Sequence, residues 1–343
     1  MNVTWTRISI KPATPFRTAR AVRNETRTLW VRIESDGIEG WGEAAPLDTY
    51  HQSVESAEEA LRGMAPIIQH ADPLSIESIT AELLARFDDQ RAAIAAIDGA
   101  LHDWIGKRFG VPVVRWLGLD PSEAPLTSYT IGIDTAERIA EKTRKAASFP
   151  ILKIKIAPDT AEEALSIVRG LAPEKTLRVD ANASWSVDQA IDTLPRLAAY
   201  GVEFVEQPIP AGDLDGLKRI RDARILPIIA DESCVRPADV VALAGRVDGV
   251  NIKLGKCGGL REALRMIHLG RAFGMKIMLG CMIETSLGIA AAAQLAPLAD
   301  WLDLDGHLLL AHDPFDGLEG AGGRLRVGAT PGLGVTRREC ERV

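Results

Sequence analysis

Short runs of hydrophobic residues recur through the second half of the chain, and most carry a polar or charged residue at or near their C-terminal end. These terminal residues are separated by 25, 26, 25, 22, 28 and 24 positions. In chain order they are Lys155, Asp180, Glu206, Asp231, Lys253, Cys281 and Asp305. A period of this length accommodates one strand, one helix and two short loops, so it predicts alternating strands and helices.

The alternation predicts an α/β barrel. Segments with helical periodicity, such as 161–171 and 186–200, separate the hydrophobic runs. Continuous hydrophobic runs are typical of parallel strands that are buried on both faces. Seven such units, together with a further strand within 126–133, predict a (β/α)8 or modified (β/α)7β barrel over residues 121–306. The polar residues at the C-terminal ends of the strands would then surround one active site.

Residues 1–120 have a different pattern and are predicted to form an α+β capping domain. Antiparallel strands are expected at 3–10 and 28–34, and helices follow from residue 53. The polar, basic segment 15–24 connects the first two strands and is a candidate lid over the barrel. A solvated hairpin tip is the alternative interpretation of this segment.

The C-terminal tail, residues 307–343, is rich in glycine and proline. Its hydrophobic segments 308–310 and 325–327 are predicted to be short strands. We expect these strands to return the chain to the capping domain.

Composition narrows the range of functions. At 343 residues the chain is long enough for two domains. A net charge of −7 and the lack of a basic run argue against nucleic acid as a partner. Neither an N-terminal signal core nor a segment long enough to cross a bilayer is present, so we expect a cytoplasmic protein without a membrane partner. A small-molecule substrate is the expected partner, and self-association into a homo-oligomer stays open.

The cysteines point to a reducing compartment. None of the four is in a Cys-x-x-Cys motif, and thiols are reduced by default in the cytoplasm. Cys281 ends a predicted strand and is expected to line the pocket as a small apolar residue rather than to react. The four residues are Cys234, Cys257, Cys281 and Cys340.

Three carboxylates end successive predicted strands, namely Asp180, Glu206 and Asp231. Carboxylates this close together cannot all stay ionised without a cation. An all-oxygen ligand set without histidine or cysteine favours Mg²⁺ over Mn²⁺ or Ca²⁺. For any one of them, a salt bridge or a helix cap is the alternative; their matched period favours a metal site.

Lysines flank this sector. Lys153 and Lys155 lie two apart on one strand and so share a face. Lys253 ends a strand four units later, which places it on the opposite wall of an eight-stranded barrel. Opposed amines beside a bound carboxylate suit removal of an α-proton on one face and its return on the other, which is racemisation or epimerisation. Elimination and cycloisomerisation stay open, and counter-ions for the carboxylates are the non-catalytic alternative.

The motif Lys153-x-Lys155 together with Asp180, Glu206, Asp231 and Lys253 resembles the enolase superfamily, in its muconate-cycloisomerase-like group. The phrase Gly40-Trp41-Gly42-Glu43-Ala44 extends this resemblance into the capping domain. The resemblance implies one Mg²⁺ per subunit, an enolate intermediate, and Lys155 and Lys253 as the acid–base pair. It implies a supporting role for Lys153 beside Lys155 or the substrate carboxylate.

The eighth predicted strand ends in Asp303-Leu304-Asp305, whose two carboxylates share one face. They would repel a muconate-type anion and hold a substrate ammonium. This motif resembles that of dipeptide epimerases, in which it binds the N-terminal ammonium; a helix cap with a salt bridge is the alternative. The same resemblance covers residues that line the dipeptide pocket, Thr130, Cys281, Met282 and Ile283.

The lid segment resembles that of the L-Ala-D/L-Glu epimerases of murein peptide recycling, which use an arginine there for the glutamate side chain. Arg20 and Arg23 are the candidates, since an arginine fork binds both oxygens of a carboxylate. The expected function is therefore Mg²⁺-dependent interconversion of L-Ala-D-Glu and L-Ala-L-Glu by two-base proton transfer. An N-acylamino acid racemase, a cycloisomerase and a non-catalytic dipeptide-binding barrel are the alternatives.

Overall fold

The N-terminal part of the chain forms a three-stranded antiparallel sheet with a short hairpin inserted after its first strand. The computed structural model describes residues 1–327 and 329–338, so Cys340 lies outside the described residues. The sheet order is β1-β4-β5, and β2 pairs with β3 in the hairpin, where the strands are β1 (Asn2–Ile10), β2 (Phe16–Arg17), β3 (Val22–Arg23), β4 (Thr26–Ser35) and β5 (Ile38–Ala44).

Helices cover one face of this sheet, and the closest contact is made by the central helix. They are α1 (Val54–Gln69), α2 (Ile76–Phe87) and α3 (Arg91–Phe109), and the short α4 (Val113–Trp116) follows α3 and packs with the barrel cluster. Gly42 of β5 lies so near α3 that a Cβ atom there would stand 2.0 Å from the main-chain oxygen of Ala96. Only glycine permits this approach. The glycines on either side of Trp41 therefore let β5 pack directly against α3, and β5 carries Glu43, which contacts the barrel.

The barrel strands form an eight-stranded parallel sheet in which each strand pairs with its neighbour in sequence. A bridge between Thr127 and Leu302 joins the first segment to the last and closes the ring. The strands are β6 (Tyr129–Ile131), β7 (Ile151–Lys155), β8 (Thr176–Asp180), β9 (Val202–Glu206), β10 (Ile228–Ala230), β11 (Gly249–Ile252), β12 (Lys276–Gly280) and β13 (Trp301–Asp303). The predicted α/β barrel with an N-terminal α+β cap is confirmed.

Helices alternate with these strands and surround them. They are α5 (Ala136–Lys145), α6 (Ala161–Leu171), α7 (Val187–Ala199), α8 (Leu214–Asp222), α9 (Pro237–Leu243), α10 (Leu254–Cys257), α11 (Leu260–Ala272) and α12 (Ser286–Ala293). The strand residues Ile154, Val179 and Val205 pack beneath them in one continuous hydrophobic cluster. Because side chains alternate along a strand, the intervening Lys153 and Lys155 point into the barrel.

Four of the residues expected at strand ends lie just beyond them. Strands β10, β11 and β12 end one residue before Asp231, Lys253 and Cys281, and β13 ends two residues before Asp305. Lys253 is instead the residue that precedes α10. The chain turns away from the sheet at these points, so the polar side chains sit on the loops at the barrel mouth.

The tail differs from expectation in one place. Residues 306–309 form a 3-10 helix rather than a strand, because Leu308 N–H bonds back to the main-chain oxygen of Asp305. The next residue, Leu310, bridges Pro12 in the capping domain. The short strands of the tail are β14 (Phe315–Asp316), β15 (Leu318–Glu319), β16 (Arg326–Val327) and β17 (Thr336–Arg337).

The tail also contacts α3, where the Asp103 carboxylate accepts a hydrogen bond of 2.9 Å from Leu333 N–H. Among the described residues, no helix combines the length and apolar character needed to cross a membrane.

Candidate active site

A cavity opens at the C-terminal ends of the barrel strands, beneath the β2–β3 hairpin. The hairpin rests on the loop after β6, where Ile133 N–H donates a 2.9 Å hydrogen bond to the main-chain oxygen of Arg17. The structure brings most of the sequence-predicted site residues to the lining of this one cavity: Arg20, Arg23, Thr130, Lys155, Asp231, Lys253, Cys281, Met282, Ile283, Asp303 and Asp305.

Asp180, Glu206 and Asp231 come together at the C-terminal ends of β8, β9 and β10, and of the three only Asp231 is part of the cavity lining. One carboxylate oxygen from each lies within 4.8 Å of the other two, and all three residues are buried. Burial and the nearby Asp180 raise the pKa of Glu206 to about 7. Three buried oxygen ligands in reach of one point, with a carboxylate that cannot easily ionise alone, fit a hard divalent cation.

Lys153 is fully buried beneath this triad and links it to the eighth strand. Its Nζ lies 2.6 Å from Glu206 Oε2, 3.1 Å from Asp180 Oδ2 and 2.5 Å from Asp303 Oδ2. Burial alone would lower the pKa of Lys153, but Asp303 and the other carboxylates hold it well above its usual range. A charged amine with three carboxylate partners is suited to holding the site together.

Lys155 and Lys253 lie on opposite sides of the cavity. Lys155 ends β7 and Lys253 follows β11, and these strands are four apart in the ring of eight. Lys155 Nζ pairs with Asp180 Oδ2 at 2.5 Å, and Lys253 Nζ donates to Asp231 Oδ2 at 2.8 Å. Burial tends to lower the pKa of Lys253, but the Asp231 carboxylate outweighs it and keeps this pKa well above the usual value.

A further buried lysine in this sector was not predicted from the sequence. Lys256 Nζ donates to Asp231 Oδ1 and to the main-chain oxygen of Asp231, both at 2.6 Å. A third bond, of 2.8 Å, reaches the main-chain oxygen of Asn251. The spacing Lys253-x-x-Lys256 was the available signal. One turn of α10 brings Lys256 back to Asp231, the carboxylate that Lys253 also binds.

Asp303 and Asp305 both line the cavity, but their partners differ. Asp303 accepts hydrogen bonds from Lys153 Nζ at 2.5 Å and Ser128 Oγ at 2.8 Å. Asp305 accepts one of 2.6 Å from Thr130 N–H, and no ion pair to Asp305 occurs in residues 1–327 and 329–338. Burial and the charge of Asp303 raise the pKa of Asp305 to about 7. Asp305 is thus a buried carboxyl group that lacks a cation.

The two hairpin arginines are also unequal. Arg20 Nε donates a 2.9 Å hydrogen bond to the main-chain oxygen of Asn182, and Arg20 Nη1 lies 3.3 Å from Glu232 Oε1. Arg23 lines the same cavity, and within the described part of the chain it has no carboxylate in ion-pair range. Arg20 therefore ties the hairpin to the barrel, whereas Arg23 presents an uncompensated charge.

Tyr50 is a cavity residue that sequence reasoning missed. It belongs to a 3-10 helix of the capping domain, residues 48–50, which no hydrophobic pattern marks out. Burial and the charge of Asp231 raise the pKa of Tyr50 well above its usual value. Its phenol therefore stays neutral and faces the side of the cavity where Lys253 lies.

The segment after β12 forms the remaining wall. Cys281 Sγ contacts the main-chain oxygen of Asp303 at 3.2 Å, and burial raises the pKa of the thiol well above its usual value, which disfavours the thiolate form that a nucleophile needs. Met282 N–H is held by Glu284 Oε1 at 2.8 Å. Glu43 of the capping domain accepts a 3.1 Å hydrogen bond from Thr285 N–H at the start of α12, so the cap also anchors this wall.

Family models match nearly the whole chain. The model for the mandelate racemase / muconate lactonizing enzyme N-terminal domain matches residues 2–118, and the enolase C-terminal domain-like model matches residues 135–340. The chain therefore belongs to the mandelate racemase / muconate lactonizing enzyme family of the enolase superfamily.

Curated relatives and solved structures agree with this assignment. The chain is 38% identical over 339 residues to the L-Ala-D/L-Glu epimerase of Bacteroides thetaiotaomicron, covering 98% of this chain and 88% of that protein. It is also 38% identical over 352 residues to the hydrophobic dipeptide epimerase of a Flavobacteria bacterium, with 99% of each covered. The dipeptide epimerase of Enterococcus faecalis, solved with Mg and L-Leu-L-Tyr, superposes with a TM-score of 0.92 at 32% identity, covering 98% of this chain and 99% of that one.

Proposed function

We propose that this protein is a Mg²⁺-dependent dipeptide epimerase of the cytoplasm. The observation that carries the proposal is a cavity in which two lysines face each other across a triad of buried carboxylates. In this proposal residues 1–120 cap the cavity, residues 121–306 supply the chemistry, and residues 307–343 join the two. The dipeptide epimerases among the relatives support the reaction class.

Asp180, Glu206 and Asp231 would hold the Mg²⁺. Their chemistry fits, since three buried oxygens converge and no histidine or thiolate takes part. A divalent cation held by these three carboxylates would neutralise them and would supply positive charge against the negative charge that develops on the substrate carboxylate.

Lys155 and Lys253 would exchange the α-proton. When Asp180 and Asp231 hold the metal, they would no longer pair with Lys155 and Lys253. One of these lysines, as a neutral amine, would then accept the α-proton from one face of the substrate α-carbon. The opposite ammonium then donates a proton to the other face, which inverts the centre. Lys153, which has no exposed surface, would keep Asp180, Glu206 and Asp303 in place rather than transfer protons.

Asp305 would hold the N-terminal ammonium of the dipeptide. A buried carboxyl group without a cation is costly, and a substrate ammonium would supply the missing charge. Asp303 is already paired with Lys153, so its part in ammonium binding would be secondary. Thr130, Cys281, Met282 and Ile283 would shape the pocket around the dipeptide backbone.

Arg23 would bind an acidic second side chain, and L-Ala-D/L-Glu is the proposed substrate pair. Its charge is uncompensated at the cavity, whereas Arg20 is occupied by Glu232 and Asn182. Relatives at the same 38% identity are named for glutamate and for hydrophobic dipeptides, so overall identity does not distinguish the two substrates. The proposal of glutamate therefore rests on Arg23.

An N-acylamino acid racemase or a cycloisomerase would use the same metal and lysines. Neither substrate class carries an ammonium, so both leave Asp305 without a partner. A barrel that only binds dipeptides would leave the opposed lysines without a purpose.

Proton NMR in D₂O tests the proposal. The protein with Mg²⁺ and L-Ala-L-Glu should replace the glutamate α-proton by deuterium while the L-Ala-D-Glu diastereomer appears. L-Ala-L-Leu serves as the matched dipeptide without a carboxylate side chain. Inversion of L-Ala-L-Leu alone would contradict the glutamate assignment, and the absence of exchange in every dipeptide would contradict the epimerase assignment.

A further inference from the structure

Lys256 stands behind the proposed metal ligand Asp231 and outside the cavity lining. Its side chain is 1% exposed, and its ammonium donates to three oxygens at 2.6, 2.6 and 2.8 Å. Three is the full donor capacity of a lysine ammonium. Two of these oxygens belong to the main chain, one each from Asp231 and Asn251, so the ammonium is fixed to the barrel itself.

Lys253 holds the same carboxylate in a different way. It binds Asp231 Oδ2 at 2.8 Å, while Lys256 binds Oδ1. The ammonium of Lys253 has no other hydrogen-bond partner among the described residues, and its side chain lines the cavity. A ligand entering the cavity can therefore release Lys253 from Asp231, but it cannot release Lys256.

The Lys256 contacts reach a second proposed ligand. Asn251, whose main-chain oxygen binds Lys256, donates a 2.7 Å hydrogen bond from its side-chain amide to Glu206 Oε1. Lys256 thus holds Asp231, in the loop after β10, and it is linked through Asn251 of β11 to Glu206. The two carboxylates are therefore oriented by one connected set of buried hydrogen bonds. Residues that orient metal ligands in this way commonly affect metal affinity as much as activity.

We infer that Lys256 is a positioning residue that holds the Asp231 carboxylate in its metal-binding orientation and so sets the affinity of the site for a divalent cation. The inference rests on the proposed metal site. It assigns the two neighbouring lysines separate tasks, with Lys253 free to act on the substrate and Lys256 fixed behind the ligand.

Two effects of Lys256, its positive charge and its orientation of Asp231, predict opposite changes in Mg²⁺ affinity when Lys256 is replaced by methionine. A positive charge 2.6 Å from a ligand oxygen repels a cation, so its removal should tighten Mg²⁺ binding if charge is all that matters. If Lys256 orients Asp231, its removal should weaken binding by about 10- to 100-fold. The sign of the change therefore separates the two effects.

Lys175 provides the matched control. It is also buried, and among the described residues its ammonium donates only to main-chain oxygens, including that of Ala147 at 2.7 Å. It precedes β8, at the end of the barrel away from the cavity. Lys175→Met therefore removes a comparable buried cation without touching a proposed ligand.

Isothermal titration with Mg²⁺ alone, without substrate, tests the inference on the full chain. Lys256→Met should raise the Kd for Mg²⁺ by about 10- to 100-fold, and Lys175→Met should leave it unchanged. Circular dichroism checks folding, and Lys256→Gln against Lys175→Gln makes the same comparison if the methionine variants do not fold. Unchanged or tighter binding by the Lys256 variant overturns this inference alone. A wild-type chain that binds no Mg²⁺ overturns the proposed metal site as well.

Discussion

The two walls of the cavity balance their charge differently. On the wall formed by β7 to β11, every carboxylate of the triad has an amine of the same chain beside it, from Lys153, Lys155, Lys253 or Lys256. On the wall formed by β13, Asp303 forms an ion pair with Lys153, but Asp305 forms no ion pair in the described part of the chain.

This difference indicates which charged partner each wall would take from a bound metal or substrate. In the proposed mechanism, the amines paired with the triad would release it when a metal binds, and Lys155 and Lys253 would then face the substrate as acid and base. Asp305 has no such amine among the described residues, so in the proposed complex the substrate ammonium would supply its counter-charge. The first wall is therefore suited to chemistry and the second to recognition, and substitutions on the two walls should affect different kinetic constants.

The largest effect should follow from removing either opposed lysine. Lys155→Ala and Lys253→Ala should each lower the epimerisation rate by about 100- to 10 000-fold, because each removes one half of the proton transfer. Each variant should keep deuterium exchange in one diastereomer only, since the remaining lysine still reaches one face. Exchange in both diastereomers by a single-lysine variant would contradict the two-base mechanism.

Asp305→Asn should raise KM for dipeptides by about 10- to 150-fold with little change in kcat, because a charge-assisted hydrogen bond is lost. Asp303→Asn is the matched change on the same wall. It should lower kcat instead, since it detaches Lys153 from its 2.5 Å partner beneath the triad. Steady-state kinetics of both variants would contradict this division if the two showed the same pattern.

Within the hairpin, Arg23→Met should lower kcat/KM for L-Ala-L-Glu by about 10-fold relative to L-Ala-L-Leu, since a charged partner of the side chain is lost. Arg20→Met should reduce activity on both dipeptides alike, because it frees the hairpin from Glu232 and Asn182. Competition between the two dipeptides in one reaction measures the ratio directly. A larger change in this ratio for Arg20→Met would exchange the two assignments.

The pH dependence should report Asp305. Its pKa is about 7, so below that value the carboxyl group is protonated and binds an ammonium poorly. The value of kcat/KM should therefore rise about fivefold between pH 6 and pH 7, and fall again above about pH 8 as the substrate amine loses its proton. Asp305→Asn should flatten the acidic limb. Retention of that limb in the variant would assign it to another group.

The spacing of charged residues was enough to predict the barrel and the triad. A strand–helix repeat fixes where each strand ends, and parallel strands bring those ends together at one rim. The same periodicity placed Lys155 and Lys253 on facing walls, because four units is half of the ring.

Contacts that depend on the closed ring could not be predicted in this way. Asp303 meets Lys153 of β7 only because the closed ring brings β13 beside the segment that leads into β6, a contact over 150 residues of sequence. Tyr50 reaches the cavity from the other domain, so no repeat in the barrel marks it. Lys256 lies outside the strand–helix repeat, and only its spacing of three residues from Lys253 indicates the turn into α10 that brings it to Asp231.

Substrate analogues test the central claim, that Asp305 recognises the ammonium, most directly. N-Propionyl-L-glutamate is L-Ala-L-Glu without its amino group. For the wild-type protein with Mg²⁺, α-deuterium exchange should favour the dipeptide over this analogue by at least about 10-fold in kcat/KM. In Asp305→Asn the preference should disappear, which completes a double-mutant cycle between the carboxylate and the ammonium. Equal preference in the two proteins would show that Asp305 does not bind the ammonium.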